Sequence, residues 1–269
     1  MRLSLKLTFL FTIASVCYTS AFAHAQSAKH QDRWTLRPHY VITDLGTLGG
    51  PFSNSFGINE RNHVGGSSLT PDGRLLAYLW TEEQGMQPLG TLLGGLNSAA
   101  SGPNNHDLVP IISDTDVKDP YNENFCGFGT PFLCEAGVWR RGSLSLLEPL
   151  VPISNRGGNN TQNSDSNNRG EIVGFAEDGV PDPTCTQATP GLHFDFQAVL
   201  WNVRGQIHKL APLSGDTVGF AISVNDLGQA VGASGLCSNT PLFPLASGPH
   251  AVLWVCFRQG CVTPSESDC

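Results

Sequence analysis

The sequence predicts an all-β protein, a β-propeller-like fold of four blades with four antiparallel strands each. Three observations predict it: a repeated strand that ends in tryptophan, a repeated Asn- and Gly-rich hairpin, and a composition rich in Gly and Pro but poor in charge. Charged residues make up 14 % of the chain, below the usual quarter. Short β-branched strands separated by many turns are typical of all-β folds.

The first repeated element is a small apolar strand that closes in tryptophan. Its copies lie at 77–80, 136–139, 198–201 and 251–254. The tryptophans are 59, 62 and 53 residues apart, and so regular a spacing indicates supersecondary units placed side by side. We predict that Trp80, Trp139, Trp201 and Trp254 are packing residues, because repeated aromatic residues in sheet strands mostly fill cores.

The second repeated element lies upstream of each tryptophan. It consists of Asn, two mostly polar residues, then Gly, Asn or Asp, and after one or two more residues an apolar residue that is usually followed by Gly. Asn and Gly tolerate left-handed backbone, so this pattern predicts a β-hairpin. We predict turn roles for Asn59, Asn104, Asn167 and Asn225.

Each repeat offers four strands, which is the content of one propeller blade. Strand a enters the hairpin, strand b leaves it, strand c ends in Trp, and strand d follows as a short Leu-rich strand. Strands a to c occur four times, near 55–80, 99–139, 163–201 and 219–254; strand d occurs near 86–92, 144–150 and 207–213.

A further d-like strand at 40–45 precedes the first repeat. We expect this N-terminal strand to complete the last blade, which closes the ring and covers an exposed sheet edge. A longer array cut short, and an open array completed by a second chain, stay open as alternatives. A β-solenoid is disfavoured because its repeats are normally much shorter.

The repeats resemble those of the bacterial extracellular proteins with HAF repeats. The stretch 44–50 reads Asp-Leu-Gly-Thr-Leu-Gly-Gly and matches that family's pattern fully, 250–254 is close to its His-Ala-Phe strand before Trp, and 224–232 is close to its hairpin. The resemblance covers residues 40 to 254. It implies secretion and a β-propeller, and it implies no particular activity and no catalytic residues.

Residues 1–23 have the pattern of a secretory signal peptide. Arg2 and Lys6 precede an apolar stretch, and 21–23 form a small-x-small cleavage site. We expect a linker at 24–39, the repeat domain at 40–255 and a C-terminal tail at 256–269, in the periplasm or outside the cell. Loss of the two basic residues takes the formal charge from −8 to −10. That charge disfavours nucleic acid and anionic membranes as partners, and no other segment is long enough for membrane insertion.

Removal of Cys17 with the signal peptide leaves seven of the eight cysteines. In an oxidising compartment most of them should form disulfides, although spacing alone does not decide the connectivity. No Cys-x-x-Cys pair is present, which disfavours a metal role. The expected pairs are Cys126–Cys134, Cys185–Cys237 and Cys256–Cys261, which leaves Cys269 over.

The long insertions fall between strands b and c, at about 112–135, 175–196 and 233–249. In a four-stranded blade the b–c and d–a loops emerge on the same face, so the loop 155–165 joins them. Long loops on a rigid scaffold are where binding usually resides. We predict ligand binding by Asp114, Asp116, Asp119, Asn122, Asn160 and Asp165.

The segment 113–124 is rich in the oxygen ligands that Ca²⁺ prefers. Lys118, however, stands where a Ca²⁺ loop would place its third carboxylate, and no Gly follows it. We therefore expect no cofactor and no metal, with Ca²⁺ as the alternative.

Sequence motifs of catalysis are missing: the chain has no Gly-x-Ser-x-Gly, no His-Glu-x-x-His and no phosphate-binding Gly loop followed by Lys. We predict a secreted, non-enzymatic binding or scaffold module whose partner is an extracellular glycan, peptide or protein. A structural cell-surface repeat is one alternative. The other is a glycan-directed hydrolase, by analogy with other propellers, which a pair of carboxylates about 5–10 Å apart in a central pocket would favour. Its candidate acids are Asp114, Asp116, Asp165 and Asp178.

Overall fold

The computed structural model describes residues 40–151, 159–185, 192–242 and 246–255. The predicted signal peptide, the linker, Cys17, the Cys256–Cys261 pair and Cys269 lie outside the described residues. The chain divides into Met1–Asp44 and Leu45–Cys269, and all strands of the described part belong to the second unit. No helix in the described ranges is long and apolar enough to cross a bilayer.

The strands form four antiparallel sheets, each made of strands that are consecutive in the chain, and the sheets are arranged as the blades of a four-bladed β-propeller. The predicted fold class is confirmed. Blade 1 consists of β1 (Ser53–Ile58), β2 (Val64–Leu69), β3 (Leu75–Thr81) and β4 (Gly85–Gly90). Blade 2 consists of β5 (Ser98–Ala100), β6 (Val109–Lys118), β7 (Phe132–Arg140) and β8 (Ser143–Leu146). Blade 3 consists of β9 (Thr161–Ser166), β10 (Ile172–Pro181), β11 (Phe194–Trp201) and β12 (Ile207–Leu210). Blade 4 consists of β13 (Val218–Val224), β14 (Ala230–Gly235) and β15 (His250–Trp254).

The outer edge of blade 4 differs from the prediction. This sheet has three strands, and the predicted closing strand at 40–45 does not form, because residues 40–47 have no regular secondary structure. Tyr40, Val41 and Ile42 are 88, 91 and 96 % exposed, so the segment buries no apolar surface that would offset the entropy of ordering it as a strand. The outermost strand of blade 4 is β15, where Leu253 is exposed.

Successive blades pack through apolar cores that include three of the four repeated tryptophans. Trp139 packs against the core between blades 1 and 2, Trp201 lies in the core between blades 2 and 3, and Trp254 packs against the core between blades 3 and 4. Trp201 is fully buried, and its Nε1 donates to the carbonyl of Glu148 at 2.6 Å. These three tryptophans are packing residues, as predicted.

The hairpin asparagines are turn residues, as predicted. In each copy Oδ1 accepts hydrogen bonds from the backbone N–H groups two and four residues later. The same side chains also join the blades. Nδ2 of Asn59 donates to the carbonyl of Asn104 at 2.9 Å, Asn104 donates to Asn167 at 2.8 Å, and Asn167 donates to Asn225 at 2.9 Å.

A second series of hydrogen bonds runs beside the first. The backbone N–H of Glu60 donates to Oδ1 of Asn105, that of Asn105 donates to Asn168, and that of Asn168 donates to Asp226, at 3.0, 2.9 and 2.7 Å. Both series start in blade 1 and end in blade 4. We call these hydrogen bonds together the hairpin ladder.

The hairpin ladder ends at Asn225 and Asp226 and does not continue into blade 1. Nδ2 of Asn225 donates to Gln229 of its own hairpin at 2.8 Å. Among the described strands, those of blade 4 make no packing contact with those of blade 1 comparable to the contacts between the other neighbouring blades. The described part of the propeller is therefore joined at three of its four blade junctions.

Candidate functional site

A cavity of about 750 Å³ lies among the innermost strands of the four blades, and we call it the axial funnel. It is lined by β1, β5, β9 and β13 and by the hairpins that follow them. The hairpins stand at the end of each blade away from the b–c loops. This cavity is therefore placed by the repeated hairpins, whereas we expected binding at the insertion loops.

The same positions of the repeat line the axial funnel in every blade. Three residues before each hairpin asparagine are Phe56, Ser101, Ser164 and Ile222. One residue after each hairpin asparagine are Glu60, Asn105, Asn168 and Asp226. The repeat by itself predicts only turns at these hairpins. Because strand a is the innermost strand of a propeller blade, the same repeated positions also line the axial funnel, and this signal in the sequence was missed.

Apolar and polar groups are mixed on the funnel wall. Phe56, Ile58 and Ile222 are 61, 64 and 49 % exposed, so their side chains can contact a ligand. Most of the other side chains are amides and hydroxyls, and the charged ones are the carboxylates Glu60, Asp165 and Asp226. Among the described residues that line the funnel none is Lys, Arg or His. The wall therefore favours neutral or cationic polar ligands.

Two of the three funnel carboxylates are held by hydrogen bonds between blades 3 and 4. Oδ2 of Asp165 accepts from Oγ of Ser223 at 2.6 Å and from the backbone N–H of Val224 at 3.1 Å. Asp226 accepts from the backbone and the amide of Asn168, and these hydrogen bonds hold the pKa of Asp226 below its usual value. Asp165 is thus the one predicted ligand-binding residue that lies in the axial funnel.

The described parts of the insertion loops form a second core. It contains Phe125, the disulfide Cys126–Cys134 and the disulfide Cys185–Cys237, together with apolar residues of blades 3 and 4. Both disulfides were predicted and are confirmed. Cys185–Cys237 links the b–c loops of blades 3 and 4, which are 52 residues apart in sequence. The described parts of these loops therefore serve mainly to pack the blades against one another.

Two predicted ligand-binding residues meet in this region. Nδ2 of Asn160 donates to Oδ2 of Asp119 at 3.2 Å, to Oε2 of Glu123 at 2.9 Å and to Oε2 of Glu177 at 2.9 Å. All four side chains are fully buried. We call this group the carboxyl cluster. Sequence reasoning found Asp119 and Asn160 but missed Glu123 and Glu177, because nothing local shows that a strand and a loop 54 residues apart will converge.

Burial changes the protonation of the carboxyl cluster. Desolvation, reinforced by the charge of Asp119, raises the pKa of Glu123 to about 8. Desolvation and the neighbouring charge of Glu123 raise the pKa of Glu177 well above its usual value. The raised pKa favours the protonated form of Glu177, which can donate a hydrogen bond to Glu123.

The oxygen-rich segment 113–124 does not converge on one point. Asp114 is buried and accepts from the backbone N–H groups of Leu96 and Asn97 and from the hydroxyl of Thr130. Asp119 instead accepts a hydrogen bond from Asn160 of blade 3. Asp116 and Asn122 are exposed. The donor amide of Asn160 contacts three carboxylates, so the carboxyl cluster is arranged around N–H groups and protons. This arrangement gives no support to the Ca²⁺ alternative.

The candidate acids of the hydrolase alternative take part in separate interactions and do not form a pair. Asp178 pairs with Nζ of Lys209 at 3.1 Å, Asp114 is buried in backbone hydrogen bonds, and Asp165 bonds to blade 4. A general acid needs a raised pKa, and Asp226 of the funnel is shifted the other way. The carboxyl groups with raised pKa values do not line the funnel; they are Glu123, Glu177 and Asp195.

Comparisons with protein-family models and with curated proteins find no match for this chain. The fold and the site are therefore the basis for a function.

Proposed function

We propose that this protein is a secreted, non-enzymatic binding module of the HAF-repeat type that takes a neutral glycan in its axial funnel. The observation that carries the proposal is the funnel itself. It is about 750 Å³, within the usual size of a ligand site, and the inner strands of all four blades contribute equivalent residues to it. The signal peptide predicted at 1–23 and the two disulfides support an oxidising compartment.

The side chains that line the funnel support a neutral glycan as the ligand. Sugar hydroxyls both donate and accept hydrogen bonds, and asparagine amides offer both kinds of partner. The exposed ring of Phe56 supplies an apolar surface for the C–H face of a sugar ring. Carboxylates without a neighbouring basic group on the wall disfavour anionic sugars.

Binding without catalysis is supported by the state of the funnel acids. Asp165 and Asp226 are engaged in hydrogen bonds that tie blade 3 to blade 4, and the lowered pKa of Asp226 keeps this carboxylate ionised. An ionised carboxylate such as that of Asp226 can orient a ligand through hydrogen bonds and has no proton to donate to a leaving group near neutral pH.

The test is calorimetric titration of the purified full chain with neutral, anionic and cationic oligosaccharides. We expect one neutral oligosaccharide to bind and Phe56→Ala to weaken it by about tenfold, which corresponds to about 1.4 kcal/mol. Phe52→Ala is the matched control, because Phe52 is also about half exposed but does not line the funnel. Phe52→Ala should bind like the wild type.

Three results would count against the proposal. One is the lack of binding of any neutral oligosaccharide. Another is an equal loss with Phe52→Ala and Phe56→Ala, which would place the ligand elsewhere. Hydrolysis of the bound glycan, detected by chromatography of the titration mixture, would reject the non-enzymatic role and restore the hydrolase alternative.

A further inference from the structure

The two sulfur atoms of the Cys185–Cys237 disulfide and two carboxylates lie close together where the insertion loops of blades 3 and 4 meet. One potential ligand atom from each of Asp182, Cys185, Asp195 and Cys237 lies within 4.8 Å of the other three. Asp182 and Cys185 follow β10, Asp195 is in β11, and Cys237 begins the short 3₁₀-helix after β14. Among the described residues this is the one group of His, Cys, Asp and Glu with such an arrangement.

The carboxylate of Asp195 is an independent sign of a ligand. Asp195 is nine-tenths buried, and its Oδ1 receives no hydrogen bond from a described N–H or hydroxyl group. Its carboxyl neighbour in the group is Asp182. Two adjacent carboxyls against buried sulfur are costly unless a proton or a cation lies between them.

We propose that Cys185–Cys237 is the oxidised form of a metal site, and that the reduced protein binds a thiophilic divalent cation such as Zn²⁺ through Asp182, Cys185, Asp195 and Cys237. Four ligands of the S₂O₂ type suit tetrahedral Zn²⁺, with Zn–S near 2.3 Å and Zn–O about 2.0–2.2 Å. Such bond lengths separate the ligand atoms by about 3–4 Å, which is within the observed 4.8 Å.

The redox step is balanced by a dithiol. The dithiol gives two electrons and two protons to the Cys185–Cys237 bond and itself becomes a disulfide, which leaves two protein thiols. The cation then displaces both thiol protons. Blades 3 and 4 are consequently cross-linked in both states, by a covalent bond when oxidised and by the cation when reduced.

The lack of a Cys-x-x-Cys pair disfavours, from sequence alone, a metal role for the cysteines. The pair present here is Asp182-x-x-Cys185, with the same spacing but one carboxylate in place of a thiolate, and the other two ligands come from distant strands. Cys126–Cys134 is a natural comparison within the protein, because this disulfide belongs to the same apolar core but not to the ligand group.

The experiment uses the full chain with Cys17, Cys256, Cys261 and Cys269 replaced by Ser, so that the described cysteines are the ones that respond. The protein is reduced without oxygen by a phosphine and titrated with Co²⁺, whose thiolate charge-transfer absorption reports Co–S bonds. We expect one Co²⁺ per chain, displaced by Zn²⁺. The oxidised protein should show no such absorption.

Variants separate this site from adventitious thiol binding. Cys126→Ser/Cys134→Ser should keep the absorption and Cys185→Ser/Cys237→Ser should abolish it. Asp195→Asn and the more exposed Asp182→Asn should each lower the affinity at least tenfold. Circular dichroism is recorded on every sample. If reduction alone unfolds the chain, Zn²⁺ should restore the folded spectrum.

The proposal is overturned by any of three outcomes. The reduced protein neither binds Co²⁺ nor regains its fold with Zn²⁺; the absorption persists in Cys185→Ser/Cys237→Ser; or both aspartate variants bind as tightly as the parent, which would mean that the thiols alone hold the metal.

Discussion

The two ends of the blades are stabilised in different ways. At the hairpin end, identical asparagines make the same turn bonds in every blade, and those of blades 1 to 3 also donate one hydrogen bond to the next blade. At the loop end, blades 2 to 4 are joined by an aromatic core, the carboxyl cluster and the disulfide Cys185–Cys237. The disulfide Cys126–Cys134 closes the b–c loop of blade 2, and none of these features repeats. The comparison shows that the repeat places the axial funnel, while the insertions stabilise the opposite face by irregular means.

The largest expected effect is at the loop end. Cys185→Ser/Cys237→Ser removes a cross-link across 52 residues, and the chain-entropy relation gives a loss of about 4 kcal/mol in the free energy of unfolding. Cys126→Ser/Cys134→Ser removes one across 8 residues and should cost about 2.5 kcal/mol. Denaturant unfolding of the oxidised proteins measures both. Equal losses would contradict the view that the inter-blade link dominates this end.

The carboxyl cluster should make stability depend on pH. The folded-state pKa values of Glu123 and Glu177 are both raised, so their contribution to stability is fully present below the unfolded value of 4.5 and decreases as pH rises. For Glu123 it is lost as pH rises through about 8. Each proton taken up on folding lowers the free energy of unfolding by about 1.4 kcal/mol per pH unit in this window.

Unfolding by denaturant at several pH values between about 5 and 8 tests this sign. Glu123→Gln/Glu177→Gln should flatten the dependence, and Glu60→Gln, at an exposed hairpin, is the control that should leave it unchanged. Stability that rises with pH across this window would refute the assignment. Asp195 contributes in the same direction, so some slope should remain in the double variant.

The hairpin end should respond according to position in the hairpin ladder. Asn104→Ala removes the acceptor of two turn N–H groups and the bond to Asn167 of the next blade, and should cost about 2–3 kcal/mol. Asn225→Ala removes the same turn bonds, but its Nδ2 bonds within its own hairpin, so the loss should be about 1 kcal/mol smaller. Thermal and denaturant unfolding compare the two. An equal loss would mean that the links between blades contribute nothing.

The difference between the two ends also explains what the sequence could predict. The Trp strands and hairpins recur, so their number and spacing indicate four blades, and Asn59 or Asn167 can be assigned to turns from local chemistry. Asp119 and Asn160 were found because both lie in long polar loops. Glu177 lies inside a regular strand, and its neighbours in sequence do not indicate which residues it will contact. The strand at 40–45 was predicted from its pattern alone, and that pattern does not show which surface would bury the strand.

The smallest expected effect compares the same tryptophan in two blades. Trp201 is fully buried and donates to the carbonyl of Glu148, whereas Trp254 lies at the outer strand of blade 4 and donates to the carbonyl of Ala211 at 2.8 Å. Phenylalanine lacks the N–H and part of the ring, so Trp201→Phe loses this hydrogen bond and leaves space at a fully buried position, and should cost about 1–2 kcal/mol. In Trp254→Phe, water can replace the donor, and the loss should stay below about 0.5 kcal/mol. Denaturant unfolding of both variants decides; a larger loss for Trp254→Phe would show that the outer edge of blade 4 is covered in solution.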